Sequence, residues 1–539
     1  MPPSVPKTEK KRLLEGVLVL MPATLFTKLV GLFYKIPLIA IVGVTGMAYF
    51  LAAYHVYSVL FVLLATGLPT ALSLTVAGAV ARGEEGSAHR ALWVALCLFL
   101  PLGGLGTVLL CLFATPVAAQ LSMENAAACI LAVSPSLLLS AFNGGVKGYF
   151  QGHHRMLPTA VSEVLEAAGK LAFGLCFALF AARRGADTPT VAAYAILGIT
   201  AGLALAALVL GVWLGIDLCR HPVPRGASVP PVGGTLKGLC RLALPITVSA
   251  SVMSLVSLID TALISGQLQR AGFAADAANA MYSSYGNLAV PLYNLVPTLL
   301  TPVTLALMPL LAAGLSKGNA EGGRAALSTA LRLCTLVAIP AALGLGVFAA
   351  PILRLIYAGQ REAVALAAPL LSLLAAAMLP AALITLLGAA LQATGHTVLP
   401  ILATLTGAAV KLGTELLLLP VPGVYIYAAP VSTLLCNLTV LAVEGVALAR
   451  ILPFRFFSGK ALFCPLGAAV PGIAAGGGVY LLLARNWDSP WVMLPVLAVS
   501  AVLFALLALR LRAVGEAELS VLPGGARICT VLKKMKLLR

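Results

Sequence analysis

The sequence predicts an all-α, polytopic membrane protein of about fourteen transmembrane helices. Three observations predict it. Of 539 residues, 60% are hydrophobic and only 10% are charged, whereas soluble chains are about 45–50% apolar and about 25% charged. Mean hydropathy is +1.03. The apolar runs are long and continuous, as helices of about 20 residues require, while membrane β-barrels alternate apolar and polar residues over segments of about ten. An ordinary soluble enzyme, a disordered tail protein and a secreted disulfide scaffold are excluded.

The chain opens MPPSVPKTEKKRLLEGVLVLMPATLFTKLVGLFYKIPL, basic and then apolar. The apolar stretch is too long for a signal h-region and no small-residue cleavage site follows it, so it reads as a retained first span. Charges, Gly and Pro then divide the chain into spans near 13–42, 46–80, 90–114, 125–147, 156–182 and 189–216. A polar, proline-rich linker occupies 217–238. Further spans follow near 239–266, 283–314, 325–350, 363–392, 397–419, 424–449, 459–484 and 490–510. The expected organisation is a tail (1–12), six spans (13–216), the linker (217–238), six more (239–452), two last spans (453–513) and a basic tail (514–539).

Net charge is +17, from 35 Lys+Arg against 18 Asp+Glu, with pI near 9.6. The excess sits in short loops. Residues such as Lys10, Arg12, Arg90, Lys147, Arg155, Lys237, Arg241, Arg450 and Lys533 fall on one side. Arg183, Arg184, Arg270, Arg354, Arg361 and Arg485 fall on the other. The bias is about four to one and predicts both termini in the cytoplasm. No basic stripe interleaved with exposed aromatics is present, so nucleic acid is not an expected partner. The ten cysteines form no CxxC and no metal-like cluster, and most lie in apolar runs, where Cys acts as a small hydrophobe. Neither a metal nor a cofactor is expected.

Two stretches recur. TALSLTVAGAVARGEEGSAHR (70–90) echoes LALMPLLAAGLSKGNAEGGRA (305–325), and QGHHRMLPTAVSEVLEAAGKL (151–171) echoes QATGHTVLPILATLTGAAVKL (392–412). Both offsets are roughly 240 residues and enclose six spans, which predicts a duplication with parallel repeats.

Candidate functional residues are the ionisable groups at bilayer depth, where a mid-span Lys or Asp costs about 2.5–3.5 kcal/mol and faces a cavity or a partner. Lys28 lies near the middle of span 1. Lys35 is seven residues on, roughly 10 Å along the same helix face. Two cations there would attract a phosphate or diphosphate; the alternative is that Lys35 snorkels and Lys28 pairs with a carboxylate such as Asp260. Asp260, deep in span 7, is either that partner or a coupling proton or cation site. Glu166 with Lys170 in span 5, and Lys411 with Glu415 in span 11, are i,i+4 pairs expected to neutralise each other, though their recurrence in both halves also fits a cavity wall. Glu163, nearer the inner end, is expected to be solvated, and Glu444 lacks an evident local partner.

Polar uncharged groups concentrate in span 2 (Tyr54, His55, Tyr57) and in span 8, including Tyr285, Asn287 and Asn294, with four prolines in span 8. They suit either sugar recognition or helix–helix packing. Asn437-Leu-Thr is a glycosylation match within a span and carries no weight. Adjacent His153 and His154 have poor metal-ligand spacing. There is no Walker motif and no nucleophile–base pair, so the protein is not expected to be an enzyme.

FTKLVGLFYKIP (26–37) and the following GVTGMAYFLAAYHVYSVLFVLLATGLPTALS resemble the opening spans of the stage V sporulation protein B family of polysaccharide-biosynthesis proteins. GYFQGHHRMLPTAVSEVLEAAGK (148–170), LPITVSASVMSLVSLIDTAL (244–263) and YGNLAVPLYNLVPTLLTPV (285–303) resemble further signatures of it. That family is related to the lipid II flippases, within the multidrug/oligosaccharidyl-lipid/polysaccharide exporter superfamily. The resemblance implies two pseudo-symmetric six-helix lobes around a central cavity, plus two C-terminal helices that shape a groove for a polyprenyl tail. In lipid II flippases cavity arginines contact the diphosphate-sugar headgroup. Lys28 matches the first of these; the second falls at Tyr34, with Lys35 one position on, and neither 54–66 nor span 8 carries a cation.

The expected function is a monomeric flippase in the bacterial cytoplasmic membrane. It would carry an undecaprenyl-diphosphate-linked saccharide, such as a peptidoglycan precursor, across by alternating access. Lys28 and Lys35 would hold the diphosphate, while spans 2 and 8 meet the sugars. The rivals are a cation-coupled multidrug exporter of the same superfamily and a non-transporting scaffold for wall synthesis.

Overall fold

The computed structural model describes residues 7–220, 231–300, 320–451 and 459–511, apart from 63, 65, 66, 486 and 488. The side chains of 7–25, 28, 29, 32, 33, 245, 246, 248–250, 320–323, 326 and 459–461 are also outside that description. Among the described residues there is no strand. Twelve helices there are long and apolar enough to cross a membrane. They correspond to the fourteen expected spans except the first and the eighth. Span 1 consists mostly of residues whose side chains are not described, and span 8 runs into 301–319.

Two compact units divide at 283/284. In the first, α1 (Lys7–Val62) runs helically through predicted span 1 and into span 2. Gly43 breaks it with φ +78°, a left-handed backbone that glycine adopts without strain. The break falls where the hydropathy pattern separates the two spans. Expected span 2 is itself interrupted: residues 64 and 67 have π rather than α geometry, and the α-helix resumes as α2 (Leu68–Ala81) with Pro69 in the first turn, where a missing N–H costs nothing. Next come α3 (Glu85–Gln120), α4 (Ala127–Val133) and α5 (Ser136–Gly152), the last two forming one crossing broken at Ser134-Pro135. α6 (Leu157–Arg183), α7 (Thr188–Arg220), α8 (Val232–Arg270) and α9 (Ala275–Ser283) complete the unit.

Small residues bring these helices together, as expected where lipid supplies no hydrophobic drive for association. A Cβ at Gly202 of α7 would lie 2.6 Å from the Glu166 carbonyl oxygen and 2.7 Å from the Lys170 nitrogen, both on α6. One at Gly148 of α5 would lie 2.6 Å from the Pro69 carbonyl oxygen of α2. The Gly-Tyr-Phe-Gln-Gly-His segment thus has a packing rationale, and its polar members tie the helix ends. The Tyr149 hydroxyl donates to Asp217 on α7 at 3.3 Å and lies 3.3 Å from His89 Nε2 on α3. Arg155 pairs with Asp217, and His153 Nε2 meets Glu85 at 3.2 Å.

Although span 7 was expected to open the second lobe, α8 packs with the first unit. A Cβ at Gly67 would lie 2.8 Å from the Ala243 carbonyl oxygen of α8, an approach that only glycine permits.

The second unit begins with a π-helical turn, Ser284–Ala289, followed by α10 (Val290–Tyr293). Pro291 lacks the N–H that would bond the Asn287 carbonyl, and its ring crowds that oxygen. The Tyr357 hydroxyl instead donates to the Asn287 carbonyl at 3.4 Å, so the π turn and a tyrosine resolve one proline. Further helices are α11 (Ala320–Val347), α12 (Ala349–Ile356), α13 (Arg361–Ala393), α14 (Val398–Leu418) and α15 (Ala428–Ile451). The last pair is α16 (Gly459–Ala484) and α17 (Met493–Arg510). The second expected echo has a matching local structure. Gln151-Gly152 ends α5 and Leu157-Pro158 starts α6, just as Gln392-Ala393 ends α13 and Leu399-Pro400 starts α14.

Candidate functional site

The polar cavity of the first unit is built by two helical stripes. Thr27, Val30, Gly31 and Tyr34 lie on one face of α1, and Glu163, Glu166, Ala167 and Lys170 on one face of α6. Each stripe follows the three- and four-residue spacing that places side chains on one helix face. They enclose a volume of about 210 Å³. Gly31 leaves space open, since among the described residues nothing lies within 4 Å of where its Cβ would be. Tyr34 is 2% exposed, and its hydroxyl donates to the Ala195 carbonyl of α7 at 3.3 Å. Its ring is thereby fixed as a wall.

Lys170 Nζ lies 5.8 Å from the centre of the Tyr34 ring and 5.3 Å from that of Tyr54, within reach of cation–π attraction. The Tyr54 ring is 6.2 Å from Tyr57, whose hydroxyl lies 3.1 Å from Ser140 Oγ on α5. Glu166 is engaged elsewhere: its carboxylate is 3.4 Å from Lys147 Nζ, also on α5. The expected Glu166–Lys170 pair is therefore corrected. Among the described residues no carboxylate lies within ion-pair distance of Lys170, because α5 presents a competing ammonium to Glu166. One further expectation falls with it: Lys147 is not a loop cation but a mostly buried residue within α5. Glu163, half-buried, lines the cavity. Lys35, half-buried, follows Tyr34 on α1. Lys28 sits in the helical part of α1, but its side chain lies outside the described residues, so its pairing with Asp260 does too. Asp260 is half-buried on α8.

His55 is held by hydroxyls: its Nδ1 lies 2.8 Å from Thr261 Oγ1 and 3.2 Å from the Tyr282 hydroxyl. In the second unit, Lys411 Nζ lies 3.5 Å from Glu415 Oε1, which also accepts the Ser432 hydroxyl at 2.7 Å. Tyr285, 3.2 Å from Thr433 Oγ1, and Asn287 are buried in helix packing, while Asn294 is exposed. Among the described residues no group of His, Cys, Asp and Glu could hold a metal ion.

Residues 13–314, more than half of the chain, match the model of the family described as polysaccharide biosynthesis protein. The chain belongs to that family. Stage V sporulation protein B of Bacillus subtilis is 26% identical over 451 residues, covering 82% of this chain and 85% of the relative. The lipid II flippase MurJ of the same organism is 25% identical over 375 residues, covering 65% and 66%. Among solved structures, lipid II flippase MurJ in an inward closed conformation superimposes with TM-score 0.68 at 15% identity, covering 91% of this chain and 98% of that one. An inward-facing multidrug resistance MATE family transporter of the MOP superfamily gives 0.65 at 16%, covering 79% and 94%. This member of the polysaccharide biosynthesis family is thus a multi-pass membrane protein with the MOP-superfamily transporter fold.

Within that fold, the residues expected to bind substrate and those expected to form ion pairs or couple transport are divided between the units. Tyr34, Tyr54, Glu166 and Lys170 come together around the first unit's cavity. His55 joins a hydroxyl cluster with Thr261 and Tyr282, and Tyr285, Asn287, Lys411 and Glu415 belong to the second unit. Sequence reasoning missed Glu163, Lys147 and the space left by Gly31. For Glu163 the signal was present: 163, 166 and 170 are one helical stripe.

Proposed function

We propose that the protein is a flippase that translocates an undecaprenyl-diphosphate-linked saccharide, a peptidoglycan precursor or another cell-envelope polysaccharide unit, by alternating access. It would act as a monomer in the bacterial cytoplasmic membrane with both termini in the cytoplasm. One observation carries the reading: Lys170 is held over two tyrosine rings while its sequence neighbour Glu166 is satisfied by Lys147. The Lys170 ammonium, still within the field of Glu166 but with no carboxylate at ion-pair distance among the described residues, would be open to an anionic headgroup. Lys170 lines the cavity together with Glu163 and Glu166; counting Lys147, which pairs with Glu166, and Lys35, which follows Tyr34, the neighbourhood holds three lysines against two carboxylates, and Lys28 would add a fourth. A diphosphate in a site of low dielectric gains from such an excess. The tyrosines and Thr27 offer hydroxyls and rings of the kind that bind sugars. Family membership and the names of the Bacillus relatives support a lipid-linked saccharide as cargo. The membrane potential would supply about 2.3 kcal/mol per charge at 100 mV, with Asp260 as the alternative carrier of a coupling ion.

Flipping of an undecaprenyl-diphosphate-saccharide in proteoliposomes tests this. Lys170→Gln removes one charge-assisted contact worth about 1.5–3 kcal/mol, so the apparent affinity should fall about tenfold or more. Unchanged flipping by Lys170→Gln overturns the site. A second reading, a multidrug exporter, is favoured by the two carboxylates lining the cavity, which suit a cationic drug. It would instead give cationic-dye transport that Glu163→Gln abolishes, with no flipping by the unaltered protein.

A further inference from the structure

A second cavity of about 370 Å³ opens on the first unit and has opposite chemistry. Its walls are leucines, among them Leu60 at the end of α1, Leu68 of α2, Leu102 and Leu105 of α3, and Leu244 of α8. Its polar lining side chains are Cys240 and Thr247. Leu102, Leu105 and Leu244 are 41%, 55% and 69% exposed, so the cleft is open at the surface, and α3 is a membrane-crossing helix. Where Gly67 abuts Ala243 and Thr247, α2 and α8 close its floor.

The feature that names an occupant is the charge below it. Lys237 precedes Cys240 by three residues and Leu244 by seven, which places it at the edge of the α8 face that lines the cleft, and Arg241 lies roughly 60° further round the helix, on the Leu244 side. Both are exposed, and among the described residues neither has a carboxylate within ion-pair distance. The geometry points to a phospholipid site: one acyl chain of an anionic phospholipid lies in the leucine cleft, with its phosphate held by Lys237 and Arg241 at the N-terminal end of α8. An isolated greasy surface would take any lipid. Two cations one turn apart beneath it select an anionic headgroup, each contributing about fivefold in binding near a membrane surface. This site is separate from the polar cavity between α1 and α6, and it does not depend on what that cavity transports.

Brominated-lipid quenching in nanodiscs tests the assignment. With the four native tryptophans replaced by Phe, Leu105→Trp reports from inside the cleft. Leu112→Trp, seven residues further along the same face of α3 and beyond the lining, reports bulk lipid. Dibrominated phosphatidylglycerol should outcompete dibrominated phosphatidylcholine at Leu105→Trp by about tenfold or more, and show little preference at Leu112→Trp. Adding Lys237→Gln or Arg241→Gln should each lower that preference about fivefold. Equal preference at both reporters, or a preference that survives both charge removals, overturns the proposal. A stronger response to a polyprenyl phosphate than to phosphatidylglycerol also overturns it, by naming the carrier tail as occupant. Loss of flipping with lipid selectivity intact would bear on the transport site alone.

Discussion

Two lysine–glutamate pairs with the same spacing have opposite fates, and the difference is set by their neighbours. Lys411 and Glu415 pair within α14; Glu415 is fully buried and also takes the Ser432 hydroxyl. Removing one member leaves an uncompensated buried charge. Lys411→Met should therefore cost about 3–5 kcal/mol, whereas Lys411→Met with Glu415→Leu should recover most of it. Thermal unfolding in detergent distinguishes the two, and equal losses would show that the pair does not stabilise the unit. Glu166, by contrast, meets a lysine from another helix, and Lys170 turns to aromatic rings. Gly31 makes the complementary prediction, because among the described residues nothing stands within 4 Å of a side chain there. Gly31→Leu should leave the melting temperature unchanged or raised, since glycine within a helix costs about 0.5–1 kcal/mol relative to Ala, while transport falls because the cavity is filled. A drop in melting temperature would show that the space is occupied by packing.

At the scale of the element, the cavity depends on how closely α7 approaches α6. Gly202 sits against the backbone of Glu166 and Lys170, so a methyl group there pushes on the turn that carries both side chains. Gly202→Ala is expected to cost about 1–3 kcal/mol by overpacking and to impair transport as much as Lys170→Gln does. Wild-type stability and flipping would show that the helices separate freely. This coupling also marks what the sequence could convey. Helix positions were legible because hydropathy and breakers such as Gly43 and Pro158 act locally. The stripe of 163, 166 and 170 was legible by periodicity. Partner choice was not: the i,i+4 rule sees only one helix, and Lys147, in a glycine-rich segment near a loop, reads as a surface cation until α5 is laid against α6. The π turn at Ser284–Ala289 was equally hidden, since the carbonyl it leaves at Asn287 is met by Tyr357, sixty-six residues beyond Pro291.

For the whole molecule, charge distribution rather than packing sets orientation. Basic residues outside the spans favour one side by about four to one, and placing Lys147 within α5 preserves that bias. Moving Lys147 into a helix removes one cation from the majority, and the short Arg183-Arg184 turn remains among the minority. The chain should therefore insert with the α6–α7 turn outside and the α7–α8 connection inside. Native Cys219, exposed near the end of α7, and an added Asp187→Cys in the α6–α7 turn sit at opposite ends of one crossing helix. With the remaining cysteines replaced by Ala, a membrane-impermeant maleimide applied to intact cells should label Asp187→Cys and spare Cys219 until the cells are opened. Labelling of Cys219 in intact cells would invert the orientation. It would also turn the Lys237 and Arg241 end of α8 toward the outer leaflet, while leaving the lipid selectivity of the leucine cleft, read in nanodiscs, unchanged.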